Sequence, residues 1–196
     1  MNHKAHYVSQ PGFLPPHVCA DINKYALETN LSQAWVGHGG GEVNKEIRNS
    51  KISWIDNRWV SDWIHPFIGE INQQVNWNFE LESAEPFQYT TYSEGEYYGW
   101  HQDSHLGEVD ASGLKRKLSA SIILSDENEY EGGDFQIVDP LAAPHLDYDK
   151  RIITVPNIKQ LGSILIFPSY LHHQVTKVTK GVRKSLVCWL SGKEFK

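Results

Sequence analysis

From Pro86 onward the chain reads as about eight short segments rich in β-branched and aromatic residues, each closed by turn chemistry, and few folds accommodate such a run. The segments are Phe87–Ser93, Tyr97–His101, Lys117–Ser125, Asp134–Asp139, Arg151–Val155, Ser163–Phe167, His173–Thr179 and Arg183–Ser191. Ser93-Glu94-Gly95, Glu131-Gly132-Gly133, Gln160-Leu161-Gly162 and Thr179-Lys180-Gly181 each place a glycine where a hairpin or bend needs positive φ. The preceding part reads differently. A helix is expected from Pro15-Pro16 through Val18, Ile22, Tyr25 and Ala26 to near Asn30. A second follows from Trp59, Trp63, Ile64, Phe67, Ile68, Ile71 and Val75, which recur at three and four residues and predict a core-facing stripe with its tryptophans inside. Helices followed by many short strands predict a mainly β fold with flanking helices. The specific expectation is a double-stranded β-helix, or jelly-roll, core over about 86–192, buttressed by N-terminal helices over about 1–85. With 196 residues, 40% of them hydrophobic, the chain suits a single domain, 1–196.

Charge narrows the partners. A net charge of -6 gives no global reason to bind nucleic acid or an anionic membrane, and Lys115, Arg116 and Lys117 are most simply a solvated turn. The two cysteines, Cys19 and Cys188, form no C-x-x-C pair and no disulfide framework, which fits a reducing compartment. Met1–His6 has no apolar leader core and no segment has the apolar length of a membrane span, so the expected location is cytoplasmic. Gly37–Gly41 lacks the Gly-Lys-Ser/Thr ending of a phosphate loop and reads as a mobile loop. The stretch Asp139–Asp149, with two prolines and three acidic residues, reads as an exposed insertion.

Within the strands, His101-Gln102-Asp103 puts an imidazole and a carboxylate two residues apart, on one face of a strand. A second histidine from elsewhere would complete the 2-His-1-carboxylate set that holds non-haem Fe(II) with open positions. The tripeptide alone is weak evidence, because His145-Leu146-Asp147 repeats it. That copy lies in a proline-flanked loop too near the later histidines for a barrel to come round. His172 and His173 follow Asp103 by about seventy residues, at the start of a strand, and adjacent strand residues face opposite sides, so at most one of them ligates. On the next strand Arg183 and Ser185 share a face, an arginine fork beside a hydroxyl that suits a distal carboxylate.

Several ordered motifs carry a family resemblance. They are Tyr92-x-x-Gly95-x-x-Tyr98-x-x-His101-x-Asp103, Leu118-Ser119 with Leu124-Ser125, Tyr130-Glu131-Gly132-Gly133-Asp134-Phe135, Gly162 through Ser169, and His173-x-Val175-x-x-Val178-x-x-Gly181-x-Arg183-x-Ser185-x-x-x-Trp189. Together they resemble the 2-oxoglutarate- and Fe(II)-dependent dioxygenases of the prolyl 4-hydroxylase type, over roughly Phe87 to Trp189. The resemblance implies His101, Asp103 and His173 as iron ligands, the same histidine that strand facing suggests. It implies Arg183 as the 2-oxoglutarate anchor, with Tyr92 helping and Ser185 assisting. Tyr98 and Trp189 are the implied substrate contacts, while Trp100 alternates away from His101 and Arg48 is a candidate to reach the site from its loop. The implied cofactors and cosubstrates are Fe(II), 2-oxoglutarate and O2, with ascorbate as an optional addition.

The implied activity is hydroxylation of an unactivated C–H bond, in first place that of a prolyl residue in a peptide or protein, with 2-oxoglutarate and O2 converted to succinate and CO2. Two departures bear on the substrate: collagen-type prolyl 4-hydroxylases have lysine where Arg183 stands, and proline is common where Lys177 stands. The alternatives are hydroxylation of a free amino acid or other small molecule on the same iron centre, and a metal-binding jelly-roll without turnover. Arg183-Lys184-Ser185 argues against the last, since a structural site needs no dicarboxylate anchor. The Arg-x-Asn-x-Thr-x-Arg run of nucleic-acid demethylases is absent after His173. Specificity is expected from the Gly37–Gly41 region and the Asp103–Gly113 loop.

Overall fold

Alternating side chains sort the later strands into two antiparallel sheets. The computed structural model describes residues 6–34, 44–105, 107, 109–143 and 145–194; the Gly37–Gly41 loop, Leu106 and Glu108 of the Asp103–Gly113 loop, and Pro144 lie outside them. In chain order the elements are β1 (Val8–Gln10), α1 (Pro16–Leu27), β2 (Ser32–Gln33), β3 (Arg48–Asn49), β4 (Lys51–Ile55), α2 (Arg58–Gln74), β5 (Ser83–Ala84), β6 (Phe87–Ser93) and β7 (Tyr97–His101). There follow β8 (Lys115–Ile123), β9 (Tyr130–Gly132), β10 (Phe135–Val138), a 3-10 turn at Tyr148–Arg151, β11 (Ile152–Thr154), β12 (Ile164–Pro168), β13 (His173–Val175) and β14 (Val178–Gly192). The larger sheet runs β1-β12-β8-β14-β6-β4-β2, with β5 and β9 also on β14; the smaller runs β11-β10-β13-β7-β3. This is the mainly β, helix-buttressed jelly-roll that the strand spacing predicts.

Both helices lie on one face of the larger sheet. Proline occupies the first turn of α1, where its missing N–H is not needed, and Asn57 caps α2 by accepting from the Trp59 N–H at 3.2 Å. Val18, Ile22 and Ala26 of α1 and Val60, Ile64, Ile68 and Ile71 of α2 pack with Leu118, Ala120, Ile122, Ile164, Ile166, Leu186 and Cys188 of the sheet. The intervening strand residues turn the other way. Leu165, Phe167, Tyr92 and Val178 meet Phe135, Ile137 and Val175 of the smaller sheet. Burial by the period-2 rule therefore gives the larger sheet one helix-facing side and one side facing the second sheet. Both cysteines are buried and free, and no helix among the described residues is long and apolar enough to cross a membrane.

Four sequence expectations need correction. The chain before Phe87 is not only helix and loop: β1, β4 and β3 pair with β12, β6 and β7, respectively. Strands of two to five residues are too short to register a period, so only pairing reveals them. Lys115–Lys117 is no solvated turn. It opens β8, where Lys115 and Lys117 are buried and Arg116 makes two 2.5 Å hydrogen bonds to the Glu85 carboxylate. Thr179-Lys180-Gly181 is not a turn either, but part of the long strand β14. Gly181 has φ 74°, and a Cβ there would run into the Glu129 carbonyl oxygen of the strand lead-in to β9, so the glycine permits a close strand approach instead of a reversal. Trp63, finally, is 45% exposed; its place at the margin of the α2 stripe, not in the core, follows from its neighbour Ile64 taking the buried position.

Candidate active site

Pairing of β13 with β7 sets His173 directly opposite His101, and the chain leaving β7 brings Asp103 beneath both. The His101 Nε2 lies 3.7 Å from Asp103 Oδ1, and the His173 Nε2 lies 3.7 Å from Asp103 Oδ2. All three side chains are shielded from solvent, Asp103 and His173 almost completely. Among the described residues this is the one group of three or more His, Cys, Asp or Glu side chains whose ligand atoms gather within 4.8 Å. His172 faces the other side of the strand, with its Nδ1 3.2 Å from the Tyr148 hydroxyl and its ring 5.4 Å from Trp100. His145 and Asp147 are not part of the group; Asp147 instead pairs with Lys150 at 2.9 Å.

The proton positions in this group follow from its partners. His101 Nδ1 donates to the Gly99 carbonyl and His173 Nδ1 donates to the Leu171 carbonyl, each at 2.8 Å. A carbonyl can only accept, so each neutral ring keeps its hydrogen on Nδ1 and turns a bare Nε2 lone pair toward Asp103. Burial, reinforced by His173, lowers the His101 pKa to about 3, which keeps that ring neutral. Burial alone would raise Asp103, but His173, His101, Arg116 and the Ser119 hydroxyl outweigh it and hold the carboxyl at about 2. Ser119 Oγ donates to Asp103 Oδ2 at 2.7 Å and sits 2.9 Å from Ser169 Oγ, while the Asp103 N–H donates to the Ser169 carbonyl. The Nε2 atoms of both imidazoles and the carboxylate of Asp103 thus converge on one point. Such a set lacks only a cation, and its two nitrogens and one carboxylate suit Fe(II) with coordination left open.

Deeper between the sheets, Arg183 is 1% exposed. Its register partner across β14 and β6 is Tyr92, and the guanidinium carbon stands 5.5 Å from the Tyr92 ring centre. Nη1 donates to Ser185 Oγ at 3.0 Å, whereas Nε and Nη2 are buried without a partner. On the other side of the histidines, Tyr98 stacks on His101 with ring centres 3.5 Å apart, and Arg48 lies over Tyr98 at 4.5 Å. Arg48 is itself fixed by Ser50 and Gln88. Burial, aided by the Asp103 charge, pushes the Tyr98 phenol up to about 12. Trp189 is buried under the Arg116 guanidinium at 3.9 Å, and its indole N–H has no partner.

The profile described as the 2OG-Fe(II) oxygenase superfamily matches residues 87–191, more than half of the chain and the span that holds every one of the triad and Arg183. The chain belongs to this superfamily. Among curated relatives, the oxygenase is 33% identical over 102 residues to a PKHD-type hydroxylase of Shewanella oneidensis, a match covering 52% of this chain and 41% of that one. A PKHD-type hydroxylase of Acinetobacter baumannii is 25% identical over 189 residues, covering 92% and 75%. The oxygenase thus spans less than half the length of the first of these relatives. Its fold is that of a Pseudomonas putida prolyl-4-hydroxylase, with TM-score 0.69 at 19% identity over 96% of this chain and 94% of that one. It is equally that of a Trichoplax adhaerens prolyl hydroxylase solved with a hypoxia-inducible-factor peptide fragment, with TM-score 0.71 at 17% identity over 94% and 83%. Superfamily membership brings Fe(II), 2-oxoglutarate and O2 as cofactor and cosubstrates, and the donor sets just described fit the first two.

Sequence reasoning missed two contributors. Arg116 was hidden in a basic triplet that reads as surface. Ser119 left a usable signal, because Leu118, Ala120 and Ile122 form an apolar alternation that forces Ser119 to the opposite, inward face of β8. Arg48, which the sequence offers as a candidate, does reach the Tyr98 ring; the two-residue strand that carries it there left no signal, since it exists only through pairing with Tyr97 and Tyr98.

Proposed function

We propose that His101, Asp103 and His173 hold Fe(II), that Arg183 with Ser185 and Tyr92 anchors 2-oxoglutarate, and that the oxygenase hydroxylates a prolyl residue of a peptide or protein. The carrying observation is the convergence of two Nε2 atoms and one carboxylate on one point, with a buried arginine edge that lacks a partner between the same two sheets. Fe(II) bound there supplies the redox chemistry that couples decarboxylation of 2-oxoglutarate to succinate with transfer of one oxygen atom of O2 into a C–H bond. The chain's own residues supply position and polarity. Gly99 and Leu171 carbonyls lock the imidazole tautomers, Ser119 orients the carboxylate, and Arg183 fixes the cosubstrate by its far end so that its keto acid end faces the metal.

Prolyl specificity is supported by the names of the relatives and by the surface next to the triad. Tyr98, Trp189 and Arg116 group two aromatic rings and one cation near the triad, apolar edges against which a prolyl ring packs and a donor for a peptide carbonyl. We further propose residues 1–196 as one catalytic domain, since both sheets take strands from before and after Phe87. Succinate release across proline-containing peptides and free amino acids, with mass spectrometry for one added oxygen, tests the reading. A proline peptide is expected to gain the oxygen; a gain confined to free amino acids would overturn the peptide assignment.

A further inference from the structure

Three buried polar atoms without partners stand together between the sheets: Nε and Nη2 of Arg183 and the hydroxyl of Tyr130. Because Ser185 takes Nη1, the guanidinium keeps free its Nε–Nη2 edge, whose two N–H groups run parallel and match the two oxygens of a carboxylate. Tyr130 is 4% exposed, and its hydroxyl lies close enough to the Arg183 guanidinium to feel its charge and a weak side-chain hydrogen bond, short of the geometry of a full one. An orphaned buried donor is costly, and native proteins rarely keep several side by side unless a ligand satisfies them.

The fold goes to some length to set these groups against each other. Tyr130 opens β9 and pairs with Gly181 of β14, two residues before Arg183. The chain then bends at Gly133, φ 59°, where a Cβ would stand 2.8 Å from Arg183 Cδ and 3.5 Å from Tyr130 Cε2. A side chain there would enter the space that the arginine stem and the phenol ring share. Lys159 ties the bend from outside, donating to the Gly132 carbonyl at 3.0 Å and pairing with Asp134 at 2.7 Å. Burial raises the phenol above its ordinary pKa, so Tyr130 carries its proton as a donor throughout the neutral range.

We propose that Tyr130 donates its phenolic O–H to the distal carboxylate of 2-oxoglutarate, completing with the Nε–Nη2 edge of Arg183 a three-donor cradle. The proposal rests on the reading of Arg183 as the cosubstrate anchor and adds a residue that selects for a carboxylate at that end. Tyr92, 5.5 Å from the guanidinium, packs beside the cradle.

The test is calorimetric titration of the Fe(II)-loaded protein under anaerobic conditions with 2-oxoglutarate and with 2-oxopentanoate, which keeps the keto acid and has a methyl group in place of the distal carboxylate. Tyr130→Phe is expected to weaken 2-oxoglutarate about tenfold to a hundredfold, the fold-change of one hydrogen bond to a charged group. It should leave 2-oxopentanoate and Fe(II) affinity within about twofold. Gly133→Ala, which displaces the arginine stem, is expected to lose the same discrimination. Unchanged 2-oxoglutarate affinity in Tyr130→Phe, or equal weakening of both ligands, would overturn the role of Tyr130 while leaving Arg183 in place. A wild-type protein that binds 2-oxoglutarate no more tightly than 2-oxopentanoate would instead sink the anchor reading, and the cradle with it.

Discussion

The two faces of the larger sheet are equally dry and differ in how many polar groups they bury. Toward the helices, β8, β12 and β14 present Leu118, Ala120, Ile122, Ile164, Ile166, Leu186 and Cys188. Toward the second sheet the same sheet buries Gln88, Thr90, Ser119, Arg183 and Ser185, each at 5% exposure or less. The first face is filled mostly by side chains with no polar atom to satisfy, and its Tyr89 hydroxyl is paired with Asn23, so its contribution is stability. The second combines an apolar cluster of its own with donors and acceptors, some paired internally and some left open. Burial alone therefore says nothing about function in this molecule; the partner count of each buried polar atom does.

Mutations separate the two faces. On the inner face His101→Ala, Asp103→Ala and His173→Ala are each expected to reduce succinate formation to background, measured with saturating Fe(II) and 2-oxoglutarate; turnover surviving in His173→Ala but lost in His172→Ala would reverse the choice of histidine. On the helix face Ile64→Ala removes a fully buried side chain from α2 and is expected to cost about 2–5 kcal/mol in denaturant unfolding, with Fe(II) affinity of the folded protein unchanged. Ser119→Ala falls between them. It takes from Asp103 the 2.7 Å hydrogen bond that orients it, and is expected to weaken Fe(II) about tenfold to a hundredfold in a competition titration.

Acid distinguishes the faces again, because each holds a histidine whose charged form burial disfavours. His101, between the sheets, is lowered from 6.5 to about 3 by burial and by His173, and His65, on α2 and stacked on Phe87 at 5.3 Å, is lowered by burial. Below pH 6.5 the unfolded chain takes up protons that the metal-free folded state refuses. Stability is thus complete above about 6.5 and falls as pH drops toward the folded values, by up to about 1.4 kcal/mol per pH unit for each histidine. Denaturant midpoints of the metal-free protein at pH 7.5, 6 and 5 are expected to decline. His65→Phe should remove the helix face's share and His101→Ala the inner face's share; an unchanged slope in both variants would exclude these residues as its source.

What the sequence made legible follows the same division. Strands such as Phe87–Ser93 and Ser163–Phe167 carry their own signal in β-branched and aromatic residues closed by turns, and they appear at nearly the expected bounds. His101, Asp103, His173 and Arg183 belong to ordered motifs, and the fold brings their side chains into one inter-sheet space. What stayed hidden depends on pairing with distant chain. The two-residue β3 carries Arg48 to the Tyr98 face, and Arg116 finds Glu85 and Trp189 only after β8 and β14 align. Gly181 misled for a related reason: positive φ marks a turn in isolation, yet here it admits the Glu129 carbonyl to the side of a continuous strand.

Adjacent residues of α2 carry the smallest and the most local form of the contrast. Trp63 and Ile64 both belong to the apolar pattern that predicts a core-facing helix, but neighbouring helix positions lie about 100° apart, so both cannot face the sheet squarely. Ile64 is fully buried and Trp63 is 45% exposed. The larger side chain therefore contributes little, because an apolar group already half in water gains only part of its transfer free energy. Trp63→Gln is expected to shift unfolding by no more than about 0.5 kcal/mol, the range of an ordinary surface change, against the several kcal/mol expected at the next residue. Chemical denaturation of the two variants side by side checks the ratio; a Trp63 loss as large as that of Ile64 would mean that the tryptophan, not the isoleucine, seats the helix on the sheet.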